Sequence, residues 1–329
     1  MKKIIQKIKE YKFYIIITLV MILLYNFHLP YYVLTPGGTI NLNSRVETSN
    51  EDKINGSLNL LYVNEYNATI PTYLMSFIFK NWELEKVEEQ QINDESTEEI
   101  YERNRIMLEN STQNATLVAF KYANQNINIT KSRNYVIATT TENNFIIGDI
   151  ITKVDNQEIE NITDIQNIIK SKEAGDKLKF TIIRNNKEKT IENTITTDEE
   201  GRKIVGIVVL TNYEYTTDPE IEFSFKNSES GSSGGLMLAL TIYDLISEDD
   251  LTKGRNIAGT GTINIDGTVG EIDGVKYKIM GAVKNKMNLI LVPKENFEEA
   301  MKVKEEFDYD IDIVSVSTFE DAVNYLKEN

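Results

Sequence analysis

Residues 230–235 read Ser-Gly-Ser-Ser-Gly-Gly, and an apolar run from Leu236 to Ile246 follows directly. That run is a good helix former and apolar nearly all round, which predicts a buried helix. A loop of small residues feeding such a helix brings backbone N–H groups to its N-terminus, where developing negative charge is stabilised. A serine there is placed to act as a nucleophile, with nearby amides as its oxyanion hole. Taken alone, the same loop reads more simply as a flexible Ser/Gly connector. A phosphate-binding loop is a third reading, weakened by the lack of a lysine after the glycines.

A nucleophilic serine needs a base. His28 is the one histidine and lies near the N-terminus, and there is no cysteine. A Ser-His-Asp triad, a multi-histidine zinc site, a cysteine nucleophile and disulfides are therefore excluded. Lysine remains, provided burial lowers its pKa enough to leave it neutral near pH 7. Residues 257–283 read as a hairpin turning at Asp266-Gly267, then a helix opening at about Gly274. Ile279, Ala282 and Val283 give that helix an apolar face, and Lys278 borders it. A lysine in that position usually extends its ammonium to water, so by itself it says little.

The chain that must position these residues has 329 of them, with 41% hydrophobic and 26% charged, and carries a net charge of −16. This predicts a folded protein of about two domains. The first 12 residues hold five lysines and one glutamate, so the acidity lies in the rest. A body that acidic repels phosphate backbones, which argues against nucleic acid as a partner. Residues 13–33 carry no charge and approach the roughly 20 apolar residues of a membrane span. The preceding lysines predict a signal anchor with a cytoplasmic N-terminus and the body outside the cell. No small-residue cleavage site follows the span, so a cleaved signal peptide is the weaker reading.

Pro36-Gly37-Gly38 reads as a turn after the membrane exit. Leu58–Val63 reads as a strand, and Pro71 as the opening of a helix through Phe79. Residues 84–114 read as solvated helix, continued by amphipathic helix over 115–123. From Tyr135 the pattern changes to short strands around one helix, with Ile162, Ile165, Ile168 and Ile169 at helical spacing.

Three resemblances organise these readings. Phe145–Ile159, the helix after it and the strand Leu178–Arg184 resemble a PDZ domain over about 130–197. That resemblance implies a peptide added as a strand between Tyr135, Val136, Ile137, Ala138 and the helix face of Ile165 and Ile169. Residues 200–329 resemble the Lon-type serine-lysine protease domain, through Gly231-Ser232-Ser233-Gly234-Gly235 and the Gly274…Lys278 pattern. It implies Ser233 as nucleophile, Lys278 as base, Thr260 as a lysine-positioning residue and the Ser232 backbone as an oxyanion donor. Ser232, Gly234 and Asp273 depart from the family pattern, and Asp273 is placed to raise the lysine's pKa.

Taken whole, the chain resembles the membrane-anchored Lon-like proteases of Gram-positive bacteria. The implied fold is α+β: a basic tail (1–12), a transmembrane helix (13–33), a membrane-proximal region (34–129), a PDZ-like domain (130–197) and a Lon-type α/β proteolytic domain (198–329). The implied function is ATP-independent endopeptidase, with peptides or small proteins as substrates and no cofactor, metal or nucleotide. The alternative is a membrane-tethered PDZ scaffold whose protease-like module is inactive.

Overall fold

The computed structural model describes residues 2–49, 55–93, 95–140, 143–226 and 228–329. Its centre is a six-stranded mixed sheet. In chain order its strands are β1 (His28–Asn41), β2 (Ser57–Thr69) and β3 (Glu83–Lys86), then β9 (Asn256–Gly259), β10 (Leu289–Pro293) and β11 (Asp312–Val316). The spatial order is β11-β10-β9-β2-β1-β3. β9 pairs parallel with both β2 and β10, while β1 and β2 pair antiparallel. The three N-terminal strands therefore complete the same sheet as the C-terminal ones.

Alternation along these strands separates two cores. Leu58, Leu289 and Leu291 face a core built around α5 (Gly235–Ile246) and α3 (Thr97–Tyr122), while Leu61, Ile290 and Val292 face a core under α6 (Val275–Lys284) and α7 (Phe297–Glu306). The sheet thus lies between two helical layers. Every residue of α5 is buried, as its apolar circumference predicts.

A second sheet holds the PDZ-like pattern, in the order β8-β4-β5-β6-β7: β4 (Asn126–Thr139), β5 (Ile150–Val154), β6 (Lys177–Arg184), β7 (Lys187–Thr194) and β8 (Ile207–Asp218). The two-residue strand Gln157–Glu158 adds to β5. Helix α4 (Ile162–Lys170) covers the sheet and shares with it a separate core of Val136, Phe145, Ile151, Ile165, Ile169 and Phe180.

Several expectations change. Helix α1 (Lys2–Asn26) stops before His28, where β1 begins, so Tyr31, Tyr32 and Val33 belong to the sheet and not to the end of a span. Tyr32 and Val33 are buried there. From Phe13 to Tyr25 the side chains of α1 are almost all exposed, yet among the described residues no helix is long and apolar enough to cross a membrane. Pro36-Gly37-Gly38 is no exit turn but an irregularity inside β1. α6 rides directly on it, since a Cβ on Gly281 would stand 3.0 Å from the Gly38 nitrogen. Finally, α2 (Ile70–Ser76) has Pro71 in its first turn but stops short of Phe79, and 111–120 is the fully buried end of α3, where solvated helix was expected to 114 and amphipathic helix from 115.

Candidate active site

The Ser/Gly segment turns into the N-terminus of α5 and is held there by backbone. The Ser233 carbonyl accepts from the Gly261 amide at 2.8 Å and from the Thr260 hydroxyl at 3.1 Å. The Ser232 carbonyl accepts from the Gly235 amide at 3.3 Å and from Ser111 Oγ at 3.1 Å. The Leu236 amide closes the ring by donating to the Gly261 carbonyl. Gly235 is required by space: a Cβ there would meet the Ile263 nitrogen at 2.8 Å and Ser111 Oγ at 2.9 Å. Ser233 itself stays half-buried at the helix start, where the helix dipole favours negative charge.

Helix α6 opens at Gly274, whose φ of 71° is left-handed and suits glycine. Val63 presses on this position, since a Cβ would lie 2.8 Å from its Cγ2. One turn on, Lys278 is 4% exposed, so it lies inside the apolar layer that sequence alone made it border. Burial pushes its pKa down to about 8, and the Asp273 carboxylate pushes the other way. Among the described residues no side-chain hydrogen bond or ion pair to the Lys278 ammonium is present. None joins it to Ser233 Oγ either, and such bonds are often long before substrate binds. Lys276 is less buried, with its ammonium 5.9 Å from the Tyr277 ring centre.

Thr260 is 2% exposed, and its hydroxyl is used by the Ser233 carbonyl, not by Lys278. It therefore holds the serine loop. A cavity of about 470 Å³, lined in part by Phe79, Trp82, Met280 and Lys284, opens beside the C-terminal half of α6. It includes neither Ser233 nor Lys278, so residue chemistry and not volume marks the site.

The strand where sequence places the peptide groove lies inside its sheet. β4 is paired on both sides: Tyr135 opposes Leu210 on β8 and Ile150 on β5, while Val136 and Ala138 oppose Val209 and Val208. The Val136 amide is also taken, donating to the Asp149 carbonyl at 2.8 Å. Tyr135, Val136 and Ala138 are buried, Ile137 is half-buried, and Ile165 and Ile169 face the core. At Tyr135 and Val136 both sides of β4 are therefore occupied. The free edge belongs to β8, which ends the sheet and touches α4. Sequence reasoning passed over it because it follows the PDZ pattern. Its signal was the β-branched run through Ile204, Val205, Ile207, Val208 and Val209 around Gly206.

Residues 227–328 match the model of the "Lon protease (S16) C-terminal proteolytic domain", and residues 117–195 match that of the PDZ domain. The chain carries both domains. The Lon-type domain contains Ser233, Thr260 and Lys278, and thus the loop and helix just described. The chain is 29% identical over 118 residues to Lon protease 2 of Borreliella burgdorferi, covering 35% of this chain and 15% of that protein. It is 30% identical over 118 residues to Lon protease of Mesomycoplasma hyopneumoniae, covering 32% and 13%. The chain thus spans under a fifth of either relative's length. The PDZ domain of an SdrC-like protein from Listeria monocytogenes is similar at 23% identity and a TM-score of 0.24, covering 25% of this chain and 93% of that one.

Proposed function

We propose that this chain is an ATP-independent serine endopeptidase with a Ser233–Lys278 dyad. The observation that carries the reading is Lys278: a buried lysine with its pKa lowered to about 8, on the helix layer of a Lon-type domain. At pH 7 about a tenth of such a group is neutral, far more than for a lysine at its ordinary value. Neutral Lys278 Nζ takes the Ser233 Oγ proton as Oγ bonds to the peptide carbonyl carbon. Amides around Ser232 and Ser233 receive the oxyanion. The C–N bond then breaks, and the Lys278 ammonium returns its proton to the leaving amine. Water, deprotonated by Lys278, releases the acyl group and frees Ser233.

Substrates, in this reading, are extracytoplasmic peptides or small secreted and membrane proteins, docked as an added strand on the β8 edge beside α4. The residues proposed for docking are accordingly Ile207 and Val209, in place of Tyr135–Ala138. The attachment point is the apolar part of α1, and the overall plan resembles the membrane-anchored Lon-like proteases of Gram-positive bacteria. Its exposed side chains from Phe13 to Tyr25 favour lipid over water by about 25 cal/mol per Å². The lysines before them favour a cytoplasmic N-terminus with the catalytic unit outside.

A serine-reactive probe separates this reading from an inactive scaffold. Covalent labelling mapped to Ser233, lost when Lys278 is methionine, is the expected result. A folded chain that takes no label at Ser233 is a scaffold.

A further inference from the structure

One turn of α3 touches both the nucleophile loop and the docking strand. On the loop side, Ser111 Oγ donates to the Ser232 carbonyl at 3.1 Å. Asn114 Nδ2 donates at 3.2 Å to the carbonyl of Ile263, two residues beyond the Gly261 amide that holds Ser233. On the other side, Asn110 Nδ2 donates to the Thr211 carbonyl and to Asn212 Oδ1, each at 3.0 Å. Gln113 Oε1 accepts from the Tyr213 amide at 2.6 Å. Asn114 Nδ2 also donates to Asn110 Oδ1 at 3.1 Å, which joins the two halves. Ser111, Gln113 and Asn114 are all buried. Apolar residues would serve a buried helix better and leave no polar group to satisfy. What these side chains supply is position.

We infer that Asn110, Ser111, Gln113 and Asn114 of this turn position the nucleophile loop and couple it to β8, with Ser111 as a positioning residue for Ser233. The inference rests on Ser233 being the nucleophile. Ser111 touches no reacting atom; it fixes the carbonyl immediately before the serine and so the direction of the loop. The coupling follows from which β8 groups α3 holds. The Thr211 carbonyl and the Tyr213 amide point away from β4, and residues two apart along a strand point the same way. They are therefore the groups that an added strand would use beyond Ile207 and Val209. A peptide reaching that far displaces Asn110 and Gln113, and so loosens the same turn that carries Ser111. In this inference a docked strand favours a displaced arrangement of the turn over the one that holds β8.

The test uses the full chain, a fluorophosphonate probe and a short peptide that spans only the active site. Ser111→Ala is expected to slow labelling of Ser233 by about tenfold or more, with kcat falling and KM little changed. Thr112→Val, which removes a hydroxyl bonded back to the Glu109 carbonyl of the same helix, is expected to keep wild-type rates. If Ser111→Ala does not fold, Ser111→Cys keeps the size with a weaker donor and is expected to fold and label slowly. Asn110→Ala with Gln113→Ala is expected to change the labelling rate although neither residue contacts the loop directly. Wild-type labelling rates in the folded Ser111 variant, or in the folded Asn110/Gln113 variant, overturn the inference and leave the nucleophile in place. A folded wild-type chain unlabelled at Ser233 overturns both.

Discussion

The Thr260 hydroxyl donates a 3.1 Å hydrogen bond to the Ser233 carbonyl, so the residue just after β9 fixes the loop that presents the serine. The Gly261 amide shares the same acceptor, which leaves the carbonyl satisfied if the hydroxyl is lost. Thr260→Val keeps the shape and removes the donor. It is expected to cost about 1 kcal/mol in stability by denaturant unfolding. Its kcat on a short peptide should fall by a larger factor than that loss alone would give, because the loop is freer.

Lys278 works only when neutral. Cleavage of a peptide with no titrating groups should therefore rise with pH through about 8 and then level off. Asp273→Asn removes the carboxylate that raises the lysine's pKa, so the profile should move to lower pH. Lys278→Arg should be inactive, because a guanidinium keeps its proton at any working pH. A flat profile from pH 6 to 9 in the wild-type chain would count against the lysine.

The same burial has a cost in stability. Lys278 is lowered from 10.5 to about 8 on folding, so between those values the unfolded chain binds more protons than the folded one. Stability then rises with pH across that window and is lowest, for this group, below about 8. The full shift corresponds to about 3 kcal/mol. Lys278→Met should therefore be inactive and yet melt higher than wild type at pH 7, with the gain vanishing as pH approaches 10.5. Melting curves at pH 7 and pH 10 check both halves.

Docking can be weakened without touching the chemistry. Ile207 opens β8, its amide faces the free edge by the alternation seen at Thr211 and Tyr213, and proline is tolerated at such a place. Ile207→Pro should slow cleavage of a long substrate several-fold while a short peptide is cleaved at the wild-type rate. Equal losses on both would mean that the edge only supports the fold.

The readable parts of the sequence were those fixed by local chemistry. The apolar circumference of Leu236–Ile246 announced a buried helix, and Gly274 announced the start of the helix that carries Lys278. Burial of Lys278 itself depends on β1 and β2 lying under α6, a contact made across more than 200 residues of sequence, and no local pattern records it. The same distance hid the sheet that joins His28–Lys86 to Asn256–Val316. In the PDZ-like unit the element order was legible and the edge was not. Tyr135–Ala138 has the alternation of a strand whether it lies inside a sheet or at its border, and only the pairing with β8 decides that. The uncharged run over 13–33 read as one helix, because composition does not show that β3 and β2 capture Tyr31–Leu34 as strand.

The central claim is that one hydroxyl, on Ser233, attacks the peptide bond. The most direct measurement compares cleavage of a short peptide by the purified wild-type chain with Ser233→Ala, Ser232→Ala and Ser230→Ala, each confirmed as folded by its melting curve. The account predicts no cleavage above background for Ser233→Ala and substantial cleavage for the other two. Substantial cleavage by folded Ser233→Ala would contradict it.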